Sequence, residues 1–192
     1  MFRAKTVDNV VSQEEARAIL DFVKDIEPWE HGGSDFWDNR SLNAIMIYQN
    51  RSKEIGKLLY DIRARVGEEI KKLYEVPEIY PDLFQVVRWF PGMEQHPHAD
   101  DMTDAMEHEK HLVEWFKHRE FGAIIYLNDN YDGGHTFYPN HNFEIVPKVG
   151  TLAVHPGDPE HLHGVTKVEN GMRYTLASFW TQEKEYFDGW VL

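Results

Sequence analysis

The chain has 192 residues, 42% hydrophobic and 14% aromatic, with a formal charge of −13 and no cysteine. That length allows one buried core, while the charge argues against a nucleic-acid or anionic-membrane surface, both of which need clustered Lys and Arg. Without cysteine, disulfides, thiolate metal sites and Cys nucleophiles are excluded.

The start, "MFRAKTVDNVVSQEEARA", lacks the long apolar stretch of a secretory signal. No apolar run approaches the roughly 20 residues of a membrane-spanning helix, so a soluble, cytoplasmic protein is expected. Ser12 and Glu15 form a capping-box pattern ahead of a helix with Ala16, Ile19, Leu20 and Val23 on one face. A Gly- and Asp-rich loop, "HGGSDFWDNR", follows. Then Ile55, Leu58, Leu59, Ile62, Val66, Ile70 and Leu73 repeat at helical spacing, a stripe that reads as core.

After Pro81 the period changes. "LFQVVRWF", "FGAIIYLND", "GTLAVHPG" and "MRYTLASFW" are rich in β-branched and aromatic residues and bounded by turn formers, which predicts strands; "HTFYP" and "FEIVP" add shorter ones. Helices first and strands after predict an α+β fold, a sandwich or barrel with helices packed on one side. The organisation expected is one domain over 1–192, with helical support to about residue 80 and a strand core over about 81–182. One charged segment, "DDMTDAMEHEKHLVEWFKHRE", interrupts the strands, with Met106, Val113 and Phe116 loosely at helical spacing. It reads as an insertion over 101–120, suited to a lid. Its "HEKH" lacks the spacing of the zinc-protease pattern HExxH, so His108 and His111 read as a solvated face.

The string "MEQHPHADD" could be an acidic surface loop or half of a metal site. Downstream, "HLHGVTKVENGMRYTLASFW" places His163 before an expected turn and Arg173 ten residues later, at the start of the last long strand. His98, Asp100 and His163 would make the two-His, one-carboxylate facial set that suits ferrous iron and leaves open positions for a bidentate 2-oxo acid and dioxygen. The planar fork of Arg173 suits the far carboxylate of 2-oxoglutarate through two parallel charge-assisted hydrogen bonds.

From Gln85 to Trp180 the chain resembles the Fe(II)/2-oxoglutarate oxygenases, in particular their prolyl 4-hydroxylase-like branch. The resemblance rests on an ordered set: "VVRWFPG", "HPHAD", "IIYLNDNYDGGHTFYP", "GTLAVHPG" and "HGVTKVENGMRYTLASFW". It implies a double-stranded β-helix, or jelly roll, with His98, Asp100 and His163 as iron ligands. It makes Arg173 the anchor of the far carboxylate, aided by Tyr126 and Thr136, with Gly133 and Gly134 in a turn that excludes side chains. Fe(II), with 2-oxoglutarate and O2 as co-substrates, is the implied requirement, and a use of L-ascorbate is compatible with it. The implied reaction is hydroxylation of an unactivated C–H bond, foremost of a prolyl residue in a protein or peptide, releasing succinate and CO2.

His96 and His161 each stand two residues before a proposed ligand, but His98 keeps the His-x-Asp order and His163 the ten-residue distance to Arg173. The alternates read as surface or supporting residues, and Asp101 as solvent-exposed. The carboxylate at Asp100 favours hydroxylation over the halogenation that a small residue would permit there. Trp89 and Gln95 stand where Tyr is common in the family, which weakens the prolyl assignment. A free amino acid or another small molecule remains as substrate, and a jelly-roll binder of a metal or small acid without turnover is the reading from another class. No nucleic-acid or membrane partner is expected.

Overall fold

The computed structural model describes residues 4–30, 38–103 and 112–192. The elements in chain order are β1 (Lys5–Val7), α1 (Gln13–Val23), β2 (Ser41–Asn43), α2 (Ala44–Asn50), α3 (Lys53–Tyr74), β3 (Tyr80–Trp89) and β4 (Gln95–His98). After them come α4 (Val113–Phe116), β5 (Phe121–Tyr126), β6 (Asp132–Gly133), β7 (Thr136–Tyr138), β8 (Phe143–Ile145), β9 (Leu152–Pro156), β10 (His163–Val165), β11 (Val168–Asn170) and β12 (Arg173–Thr181). Among the described residues no helix is long and apolar enough to cross a membrane.

Local chemistry sets the helix starts. Ser12 accepts from the Glu15 backbone while the Glu15 carboxylate accepts from the Ser12 N–H, so the capping box is complete. Asn43 and Ser52 cap α2 and α3 in the same sense, and α3 stops where Glu75 turns left-handed. Ala16, Ile19 and Val23 of α1 and Leu59, Ile62, Val66 and Ile70 of α3 are buried.

A six-stranded antiparallel sheet runs β1-β9-β5-β12-β3-β2, and a smaller four-stranded sheet runs β4-β10-β7-β8, with β6 and β11 as a separate pair. The central strand β12 places Leu176 between Val86 and Ile125, and Thr175 between Val87 and Tyr126. Because strand side chains alternate faces, those two rows point in opposite directions. Val86, Ile125, Val154 and Leu176 join the helices in the main apolar core. Val87 and Trp89 instead meet Val165 and Val168 from the far side. A cavity lined by residues of both sheets lies on this second face.

Three features differ from the sequence expectation. The first 80 residues are not helical support alone, because β1 pairs with β9 and β2 with β3. Three-residue strands show no readable alternation, and only their distant partners define them. His163 opens β10 rather than preceding a turn, and β4 forms in what read as a polar loop, each three- or four-residue piece being completed by the other. Within the expected insertion, Asp101 is half-buried and accepts hydrogen bonds from Thr103, while Val113 and Phe116 lie in one short helical turn. Met106, His108 and His111 fall outside the described residues.

The helix–sheet core has a direct test. Ile62 is fully buried, so Ile62→Ala is expected to lose about 2–5 kcal/mol in urea unfolding, through lost transfer energy and an unfilled cavity. A loss below about 1 kcal/mol would place α3 off the sheet.

Candidate metal and dicarboxylate site

Antiparallel pairing places His163 directly opposite His98, and their ring centroids lie 4.6 Å apart. Asp100 follows two residues past His98, beyond the end of β4, and is buried with 6% exposure. The ligand atoms of His98, Asp100 and His163 all lie within 4.8 Å of one another. Oδ1 of Asp100 stands 3.8 Å from His98 Nε2 and 3.5 Å from His163 Nε2. The Nδ1 atoms of His98 and His163 sit 3.1 and 3.3 Å from the carbonyls of His96 and His161. Donation there fixes the tautomer and turns the Nε2 lone pair of each ring toward the Asp100 side, where it can meet a cation.

The protonation states suit a metal. Burial pushes the His163 imidazole well below its usual range, which keeps it neutral. Burial alone would raise the Asp100 carboxyl, but the neighbouring imidazoles of His163, His155 and His98 outweigh it and hold the group below the ordinary carboxylate range. Two imidazole nitrogens with one carboxylate form a donor set for a borderline divalent ion such as Fe(II). His96 is exposed, and His161, though buried, turns its Nδ1 to Asp158 Oδ1 at 2.8 Å. Gln95 lies with Nε2 3.3 Å from His98 Nε2, and both residues line one cavity.

Arg173 lines that cavity together with His98, Asp100 and His163. It is 1% exposed, opposite Trp89 on β3, and its guanidinium carbon is 5.2 Å from the Trp89 ring and 5.5 Å from that of Tyr126. Among the described residues, its Nε and Nη2 and the Tyr131 hydroxyl are buried without a hydrogen bond of ordinary geometry. Buried donors left this way are costly, and here they form one cluster that fits a carboxylate. Tyr126 donates to Thr136 Oγ1 at 2.7 Å, which leaves the Thr136 hydroxyl with its own proton to offer. Burial pushes the Tyr126 and Tyr131 phenols upward, so both remain protonated donors. Gly133 and Gly134 have φ of 70° and 63°. A Cβ on Gly134 would stand 2.9 Å from Arg173 Cδ and 3.0 Å from the Tyr131 ring, so the bare backbone makes room for both. The Arg40 guanidinium lies 4.0 Å from the same indole, and burial and Arg173 lower its pKa to about 10.

Sequence reasoning missed Tyr131, Tyr138 and His155. His155 Nε2 lies 3.1 Å from Asp100 Oδ2, and its Nδ1 is 2.8 Å from the Tyr138 hydroxyl. The available signal was a histidine inside "LAVHP", a strand otherwise apolar and buried at every position. A polar ring there needs dedicated partners.

Comparison with known proteins bears on the family and the fold. Residues 84–181 match the family model described as the 2OG-Fe(II) oxygenase superfamily. An Acanthamoeba polyphaga mimivirus protein named "Putative prolyl 4-hydroxylase" is 29% identical over 129 residues, 63% of this chain and 53% of its own length. Mouse prolyl 3-hydroxylase 2 is 21% identical over 209 residues, 94% of this chain and 30% of its own. The chain thus spans about half or less of these curated relatives. The viral collagen prolyl hydroxylase of Paramecium Bursaria Chlorella virus-1, solved with 2OG, superposes with a TM-score of 0.67 at 18% identity, covering 95% of this chain and 97% of that one. A Trichoplax adhaerens prolyl hydroxylase bound to a hypoxia inducible factor peptide fragment gives 0.68 at 18% identity, covering 97% and 86%. These likenesses establish the jelly-roll fold.

Gly122 offers a test of the metal geometry. A Cβ there would fall 2.0 Å from Asp100 Oδ2 and 2.5 Å from His155 Nε2. Gly122→Ala is expected to weaken divalent-metal binding by about 10–100-fold in anaerobic titration, with an unchanged far-UV circular dichroism spectrum. Parental affinity in a folded variant would contradict the geometry.

Proposed function

Because this chain belongs to the 2OG-Fe(II) oxygenase superfamily, we propose that it is an Fe(II)- and 2-oxoglutarate-dependent dioxygenase. In this reading it hydroxylates an unactivated C–H bond of a prolyl residue in a protein or peptide, releasing succinate and CO2. The observation that carries the proposal is the convergence of His98, Asp100, His163 and Arg173 on one cavity, two of them brought together from positions 65 residues apart by the β4–β10 pairing.

His98, Asp100 and His163 would hold the ferrous ion, which supplies the redox chemistry coupling decarboxylation of the 2-oxo acid to oxygen insertion. The protein's share is binding, orientation and exclusion of water. Arg173 binds the far carboxylate through its buried guanidinium, and the Tyr131 and Thr136 hydroxyls donate to the same group. Tyr126 holds Thr136 in place. Trp89, Val87 and Val165 line the cavity with apolar surface, and the low local dielectric this gives strengthens each contact. The prolyl assignment draws on relatives and neighbours named as prolyl hydroxylases, and the peptide class on the Trichoplax neighbour in complex with a peptide.

Adding Fe(II) and 2-oxoglutarate without oxygen should produce a weak visible charge-transfer band. With oxygen and a proline-containing peptide library, the product should gain one oxygen atom and succinate should accumulate. Arg173→Lys keeps the charge but loses the planar fork, so KM for 2-oxoglutarate should rise about 10–100-fold, while the KM for peptide stays near the parental value. No succinate under any substrate, coupled or uncoupled, would defeat the reading.

A further inference from the structure

We infer that His155 and Tyr138 position Asp100 so that it offers one oxygen, and only one, to the metal. The inference rests on the assignment of His98, Asp100 and His163 as the iron site. The two carboxylate oxygens of Asp100 stand in different surroundings. Oδ1 faces the Nε2 atoms of His98 and His163, whereas Oδ2 lies 3.1 Å from His155 Nε2. An ionised carboxylate only accepts hydrogen bonds, so His155 carries its proton on Nε2 and donates it to Oδ2. The other ring nitrogen, Nδ1, lies 2.8 Å from the Tyr138 hydroxyl, and that hydrogen bond fixes the orientation of the ring.

Tyr138, His155 and Asp100 are 0%, 1% and 6% exposed. Water therefore does not compete for Oδ2, and an unpaired carboxylate oxygen at this depth would cost more than a surface one. Gly122 supplies the space: any side chain at that position would occupy the gap between Oδ2 and His155. The chemical consequence concerns coordination number. A carboxylate free to turn can bind a metal through both oxygens and take up a further position. With Oδ2 committed to His155, His98, Asp100 and His163 would each offer a single donor atom and leave the rest of the ion's surroundings to the 2-oxo acid and dioxygen. His155 thus acts through Asp100 and is a positioning residue.

Metal binding by the metal-free protein tests this without any turnover assay. The parent, His155→Leu, His155→Gln and Tyr138→Phe are titrated anaerobically with Co(II), reading affinity and the shape of the visible d–d bands, with thermal unfolding of each metal-free protein as control. His155→Leu should weaken Co(II) binding about 10–100-fold and alter the band shape. His155→Gln, whose amide N–H reaches toward the same oxygen, should restore both, and Tyr138→Phe should fall between the parent and His155→Leu. If His155→Leu does not fold, the other two variants decide: Gln near the parent with Phe weaker supports the inference, and Phe equal to the parent overturns it. A folded His155→Leu with parental affinity and bands, or a His155→Gln no better than Leu, also overturns it. A parent that binds no Co(II) overturns the iron-site assignment itself, a result distinct from a parent that binds and a Leu variant that matches it.

Discussion

The structure depends on keeping the Asp100 carboxylate ionised inside the protein. Burial works against it, because removing a carboxylate from water favours the neutral acid. The imidazoles around it reverse that preference, with His155 donating to one oxygen and His163 and His98 facing the other. Such a donor set places two imidazole nitrogens beside a negative charge, which is the electrostatic setting that attracts a divalent ion.

The strand register delivers this arrangement. A period of two assigns Val86, Leu176 and Ile125 to the helical side and Val87, Thr175 and Tyr126 to the cavity side of one sheet. A one-residue slip of β12 against β3 would turn Arg173 toward α3 and place apolar groups in the cavity. The helices therefore serve the chemistry indirectly. By packing on the apolar face of the large sheet, α1, α2 and α3 hold the register that aims the other face. Arg63 of α3, which pairs with Asp188 at 2.5 Å and also donates to the Trp190 carbonyl, fastens the chain beyond β12 to the same layer.

Much of this was legible in the sequence, for reasons specific to each part. The α3 stripe and the Ser12–Glu15 cap are local patterns, and local patterns survive in one dimension. The spacing of His98, Asp100, His163 and Arg173 was legible because each residue type is dictated by the ligand chemistry it suits. The strands β1 and β2 were hidden, since three residues carry no period and their partners β9 and β3 lie far along the chain. Tyr131 and Tyr138 were hidden differently. A tyrosine in a β-rich sequence ordinarily reads as a wall residue, and only three-dimensional placement shows one beside Arg173 and the other behind His155. His155 was the nearest to being readable, as a lone polar ring in a strand buried along its whole length.

All of this reduces to whether one ion and one dicarboxylate share the cavity in a fixed order. The most direct measurement is a crystal structure of the protein grown without oxygen in Mn(II) and 2-oxoglutarate, with anomalous scattering used to locate the metal. The account predicts a single peak ligated by His98, one oxygen of Asp100 and His163, with the 2-oxo acid chelating it and its far carboxylate paired to Arg173. A metal bound elsewhere, or a dicarboxylate whose far end leaves Arg173 unpaired, would contradict it.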